Sequence, residues 1–240
     1  MATQSAPRRI DDRKLYIAAA ILTPIIVLLG FSRTYYLKGV FGTPALPSLL
    51  VHFHGVIMTS WVLLFVTQVF LVAARRTKTH QQLGIAGAFL AALIFVVGIL
   101  TGLYSAARGS SPSPPALQFL IIPIGDMIVF GTLIATALYF RRKLAIHKRL
   151  MLIAAIGLLT PAIARIPIGF IQLYGPLAFF GLTDLLLLTA VAFDTIKHRR
   201  LHPAFLWGTL LIILSQPLRI MFAGTALWLK IATVLISLVS

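Results

Sequence analysis

The chain has no cysteine and no glutamate, and only five aspartates stand against 21 lysines and arginines in 240 residues. Without cysteine there is no disulfide, no thiolate metal site, no iron-sulfur cluster and no thiol catalysis. Charged residues make up 11% of the sequence, against roughly 25% in soluble domains, which excludes a soluble enzyme. An apolar share of 59% excludes a disordered chain and, at roughly 20 apolar residues per crossing, is material for about seven transmembrane helices. A net charge of +16 would suggest nucleic acid in a soluble protein, but a hydrophobic chain carries bases to orient itself in the bilayer. No nucleic-acid partner is expected.

The expected fold is all-α, an integral membrane bundle of seven transmembrane helices. The apolar runs are 15–31, 49–74, 83–104, 117–140, 150–170, 176–193 and 204–228, the first with a kink at Pro24. Residues 1–14 form a polar N-terminal tail, and the run after it lacks a small-residue cleavage site, so the first span should be retained. The membrane domain is 15–230. An apolar extension, 231–240, is too short to cross alone and either prolongs the seventh helix or lies at the interface.

Fifteen of the 21 bases fall on one side: Arg8, Arg9, Arg13, Lys14, Arg75, Arg76, Lys78, Arg141, Arg142, Lys143, Lys148, Arg149, Lys197, Arg199 and Arg200. That side should be cytoplasmic, with the N-terminus inside, the C-terminus external and anionic lipid headgroups bound along the basic turns. A bacterial cytoplasmic membrane is the expected location. Spans two and three, four and five, and six and seven join through the basic turns RRTKTH, RRKLAIHKR and KHRRLH. Asp126 precedes Arg141 by fifteen residues and Asp184 precedes Arg199 by fifteen, so the pattern is one span plus three related hairpins. Such weak internal symmetry is common in membrane transport and redox folds, with sites often at the repeat interface.

Ionisable residues inside the apolar runs carry the functional signal. Each costs about 2.5 to 3.5 kcal/mol at a helix centre, so each needs a partner. Asp126, Arg165, Asp184, Arg219, His52 and His54 all fall roughly 4 to 14 Å below the outer surface, and none of the six belongs to the inner half. They define a ligand or proton site open to the outside, or else a set of ion pairs that locks the bundle. His54 is the imidazole expected to approach the charges. His52 and His54 point about 200° apart on a helix and cannot chelate one ion, so no metal is expected there. His54, Trp61 and Gln68 instead form a heptad stripe.

The segment HQQLGIAGAFLAALIFVVG from His80, following RRTKT, resembles the histidine-opened helices of cytochrome b561-type membrane domains. Together with FSRTYYLKGVF and VHFHGVIMTSWVLLFVTQ, it more closely resembles a family of bacterial multi-pass membrane proteins without assigned activity. The cytochrome resemblance implies a haem b held by two histidines on facing helices. The outer half has histidines on span two alone, so an inner haem on two of His80, His147 and His202 is the form this alternative takes. No cofactor is expected on the leading reading, and retinal is excluded because no lysine lies near the middle of span seven. Gly98 and Gly102 form a GxxxG that permits close helix approach and a homo-oligomer. The expected function is transport, proton relay or small-ligand sensing, and an enzyme is not favoured. The alternative is a cytochrome-like electron carrier or an assembly partner of a respiratory enzyme.

Overall fold

The computed structural model describes residues 12–110 and 115–239, and every regular element among them is helical. In chain order these are α1 (Arg13–Phe31), continued by a π-helical turn (Ser32–Tyr36), α2 (Leu49–Ala73) and α3 (Thr77–Ala107). Next come α4 (Ala116–Phe119), α5 (Ile121–Tyr139), α6 (Leu144–Gly157) and α7 (Thr160–Ile163). The last four are α8 (Gly169–Tyr174), α9 (Pro176–His198), α10 (Pro203–Ala223) and α11 (Ala226–Ser237). Among the described residues, seven segments are long and apolar enough to cross a membrane: Arg13–Tyr36, Leu49–Ala73, Thr77–Ala107, Ala116–Tyr139, Leu144–Ile163, Pro176–His198 and Pro203–Ala223. The chain is a multi-pass helical membrane bundle.

The hairpin pattern holds. α2 packs along α3, α5 along α6 and α9 against α10, while α1 stands alone against α2 and α7. Two of the basic turns are tight enough to force a non-glycine residue into the left-handed region, Arg75 at φ 61° and Arg199 at φ 52°. The most enclosed helix is α6, which touches α1, α5, α9 and α10 and buries Leu150 and every residue from Leu152 to Ile156. Close approach needs glycine at Gly30, where an added Cβ would lie 2.1 Å from the carbonyl oxygen of Ala162 and push α1 off α7.

Three boundaries differ from the sequence reading. The fifth span begins at Leu144 rather than 150, because Arg149 finds a carboxylate and the charged turn can wind into the helix. It is interrupted between Gly157 and Thr160 and stops at Ile163, well short of 170. Pro167 explains the early end: it has no amide hydrogen to continue the ladder and disfavours helical backbone at Ile166. The seventh span ends at Ala223, and the expected extension starts earlier, as α11, with Thr225 capping the Trp228 amide at 3.2 Å. α11 neither prolongs α10 nor stands free. It folds back on α3 and α4, burying Trp228 and Ala232 beside Leu103 and Leu120, and the Trp228 Nε1–H donates to the Leu117 carbonyl at 2.8 Å.

The GxxxG face is taken within the chain. A Cβ on Gly98 would meet Met127 Sδ at 2.4 Å and one on Gly102 would meet Pro123 Cγ at 3.2 Å, so this motif seats α5 on α3.

Candidate functional site

At the end of the bundle away from the basic turns, the charges divide into two groups. In the first, Arg219 of α10 donates through Nη1 to Asp126 Oδ1 of α5 at 2.5 Å. The same guanidinium donates to the carbonyls of Ile122 and Ser215, each at 3.1 Å, and to Ser215 Oγ at 3.2 Å. Four of its five N–H groups are thereby engaged. Gly125 makes this approach possible, since a Cβ there would lie 2.1 Å from Arg219 Cδ. Asp184 of α9 does not join this pair. Its Oδ1 accepts from Gln216 Nε2 at 2.8 Å, one turn from Arg219 on α10. The sequence reading missed Gln216 because an uncharged amide in an apolar run gives no cost signal.

Beside the pair, a groove of about 460 Å³ opens between α5 and α10, lined by Ile121, Ser215, Leu218, Arg219, Met221 and Phe222. Its walls are almost wholly apolar and it is open rather than enclosed.

The second group lies on α1, α2 and the segment after α7. Arg165 donates to the Pro161 carbonyl at 2.8 Å and stacks over the Phe31 ring at 5.0 Å, and no carboxylate lies within ion-pair distance of it among the described residues. His54 lies within reach of its charge, and His54 Nδ1 is buried with no hydrogen-bond partner among the described residues. His52 points the other way: it is exposed, stacks on Tyr35 at 5.8 Å and lies 3.3 Å from the Tyr35 hydroxyl. The opposed directions of the two histidines follow from their spacing. Down the same α2 face, Trp61 Nε1 and Gln68 Oε1 are also buried without partners, and Trp61 borders a small cavity of about 40 Å³ shared by α1, α2, α6 and α7. The six residues expected to form one cluster therefore form two, Asp126, Arg219 and Asp184 on one side and Arg165 with His54 on the other, with His52 outside both.

The basic end holds charges that the depth argument overlooked. Arg149 and Asp194 are 3% and 1% exposed and join in a two-point ion pair between α6 and α9. Around it, Lys148 pairs with Asp12, while His198 lies 3.3 Å from Asp12 Oδ1 and 3.4 Å from Asp194 Oδ1. Asp12, Asp194 and His198 offer ligand atoms within 4.8 Å of one another, yet both carboxylates are already neutralised by Lys148 and Arg149. This is an ion-pair network. The available signal was Asp194, an acid one turn from the end of span six, facing a hairpin whose next turn carries Arg149.

Among the three histidines of the haem alternative, His80 and His147 face each other with ring centres 6.5 Å apart. His202 stands apart from them as the cap of α10, its Nδ1 accepting from the Ala204 amide at 3.1 Å. Burial, reinforced by the charge of Arg149, holds the His202 pKa below its usual 6.5.

No protein-family model, curated protein or solved structure matches the chain.

Proposed function

We propose that the protein recognises a small anion, a carboxylate or a phosphate, at its outer end through Arg165 and His54, and that it works as a transporter or sensor in a bacterial cytoplasmic membrane. One observation carries the reading: the acids Asp126 and Asp184 are engaged by Arg219 and Gln216, and Arg165, packed against the bundle beside Phe31, has no acid partner among the described residues. A guanidinium offers a planar fork that matches an oxyanion with two charge-assisted hydrogen bonds. The orphaned His54 Nδ1 adds a donor when that nitrogen carries the proton. The basic turns face the cytoplasm in this reading, which puts Arg165 on the side from which an external solute arrives. Asp126 with Arg219 then acts as a lock between helices rather than as a ligand site.

Thermal melting in detergent with acetate, succinate, phosphate and sulfate against chloride tests this. At least one of these anions should raise the melting temperature of the wild type, and Arg165→Gln should abolish the rise. Equal stabilisation of wild type and Arg165→Gln by every anion would remove the reading.

A second reading, haem b in an electron carrier, draws support from the 6.5 Å approach of His80 and His147. It would use those two residues and not His202. Its test is a Soret band in the purified protein, lost in His80→Gln.

A further inference from the structure

Gln68 near the end of α2, His80 in the first turn of α3 and His147 in the first turn of α6 meet at the basic end of the bundle. The Gln68 amide nitrogen donates to the His80 carbonyl at 3.2 Å, which fixes the amide over the start of α3. Gln68 Oε1 and His80 Nδ1 are both buried without a hydrogen-bond partner among the described residues. Two such atoms, on residues joined by this hydrogen bond, call for something that satisfies them, since a buried polar atom without a partner costs roughly 1 to 3 kcal/mol. Across from them, His147 Nδ1 lies 2.9 Å from the Ala137 carbonyl. A carbonyl only accepts, so Nδ1 carries the hydrogen and the neutral ring presents a bare lone pair at Nε2. A hydrogen bond from one ring nitrogen to a carbonyl is how metal-ligating histidines are oriented.

The spacing is slightly wider than an ion between the rings requires, and a small closure brings it into range. With a metal–nitrogen bond of about 2.0 to 2.1 Å and a ring centre about 1.1 Å behind the nitrogen, two imidazoles on one metal stand about 5.2 Å apart at a tetrahedral angle and about 6.4 Å apart when opposed. The observed separation is 6.5 Å with ring planes 77° apart. Bringing the rings about 1.3 Å closer by side-chain rotation closes the tetrahedral arrangement.

We propose that His80 and His147 bind one divalent late first-row transition-metal ion, with Zn²⁺ the expected species, at the mouth of the basic end. Imidazole nitrogen is a suitable donor for this class. Water completes the coordination shell, and Gln68 Oε1 accepts a hydrogen bond from a metal-bound water. The site is independent of the anion reading, which concerns the opposite end of the bundle and other residues.

The test is Zn²⁺ binding by the full chain in detergent, measured by equilibrium dialysis and elemental analysis after removal of adventitious metal with a chelator. His80→Gln is the informative variant, because His80 Nδ1 makes no hydrogen bond within the protein and the substitution breaks none there. The expected result is one Zn²⁺ per chain, at least tenfold weaker binding in His80→Gln and in His147→Gln, and unchanged binding in His52→Gln. Substituting Cu²⁺ should give an electron paramagnetic resonance spectrum with two nitrogen ligands, reduced in His80→Gln. A metal-free His80→Gln protein that melts as the wild type does separates lost ligation from lost folding. Equal Zn²⁺ affinity in wild type and His80→Gln, or no binding by the wild type, would overturn the site. A Soret band from the purified protein that disappears in His80→Gln would also overturn it, by assigning the same pair to haem iron.

Discussion

Arg149 Nε and Nη2 reach both carboxylate oxygens of Asp194, at 3.0 and 2.8 Å, so the two residues form a planar two-point pair that ties α6 to α9. The remaining Nη1 donates to the Ala145 carbonyl at 2.9 Å, and the guanidinium lies 5.7 Å from the Phe205 ring centre. Removing one member leaves a buried charge unpaired, which costs about 3 to 5 kcal/mol in soluble proteins. Asp194→Asn and Arg149→Gln should each lower the melting temperature in detergent. The double substitution should lose less than the sum of the two, because neither charge then remains alone.

The same cycle at the other end discriminates between two pairings. Asp126→Asn with Arg219→Gln should show a coupling of about 1 to 3 kcal/mol, since the two side chains are 2.5 Å apart. Asp184→Asn with Arg219→Gln should be additive to within about 0.5 kcal/mol, because Asp184 bonds Gln216 instead. Gly125→Ala should destabilise as well, by driving a methyl group into Arg219 Cδ. Denaturation in mixed micelles gives all of these numbers.

His202 supplies a pH dependence of known sign. Its unprotonated Nδ1 caps α10, and burial followed by the charge of Arg149 holds its folded pKa below 6.5. Above about 6.5 the ring is neutral in folded and unfolded chains alike, and the cap contributes in full. As the pH falls below that value the unfolded chain takes up a proton that the folded chain refuses, so stability declines until the lowered folded pKa is reached. His202→Asn keeps an oxygen acceptor for the cap and cannot titrate. Its melting temperature should match the wild type at pH 8 and fall less between pH 7 and 5. An identical acid slope in the two proteins would rule this out.

The spans were legible because a bilayer leaves an apolar run of about 20 residues only one way to satisfy its backbone, as a helix. The direction of His54 was legible too, from two-residue spacing on a helix. What could not be read was pairing. Asp126 and Asp184 look alike in sequence, each fifteen residues before an arginine, and only the packing of α5, α9 and α10 decides that one meets Arg219 and the other Gln216. Arg149 was hidden by its company: in RRKLAIHKR it reads as one more topology-setting base, although α6 buries it. The position of α11 depends on a turn at Gly224 and Thr225, and a mean hydropathy profile runs straight through that turn.

Orientation has its own test. Thr79→Cys lies in the first turn of α3 at the basic end, and Ser110→Cys follows the far end of the same helix. In intact cells an impermeant thiol reagent should label Ser110→Cys and leave Thr79→Cys unlabelled, because loops rich in lysine and arginine stay in the cytoplasm. The reverse pattern would put Arg165 on the cytoplasmic side.

Arg165 is the proposed anion-holding group at the outer end, and it has no acid partner among the described residues. Isothermal titration of succinate and phosphate into the protein in nanodiscs, at pH 6 and 8, measures that binding. The expected result is saturable heat from at least one of them in the wild type, affinity at least tenfold weaker in Arg165→Gln, and affinity unchanged in a folded Asp126→Asn with Arg219→Gln variant. Binding that survives Arg165→Gln and disappears with the Asp126 and Arg219 pair would contradict it, and would move the site to the α5–α10 groove.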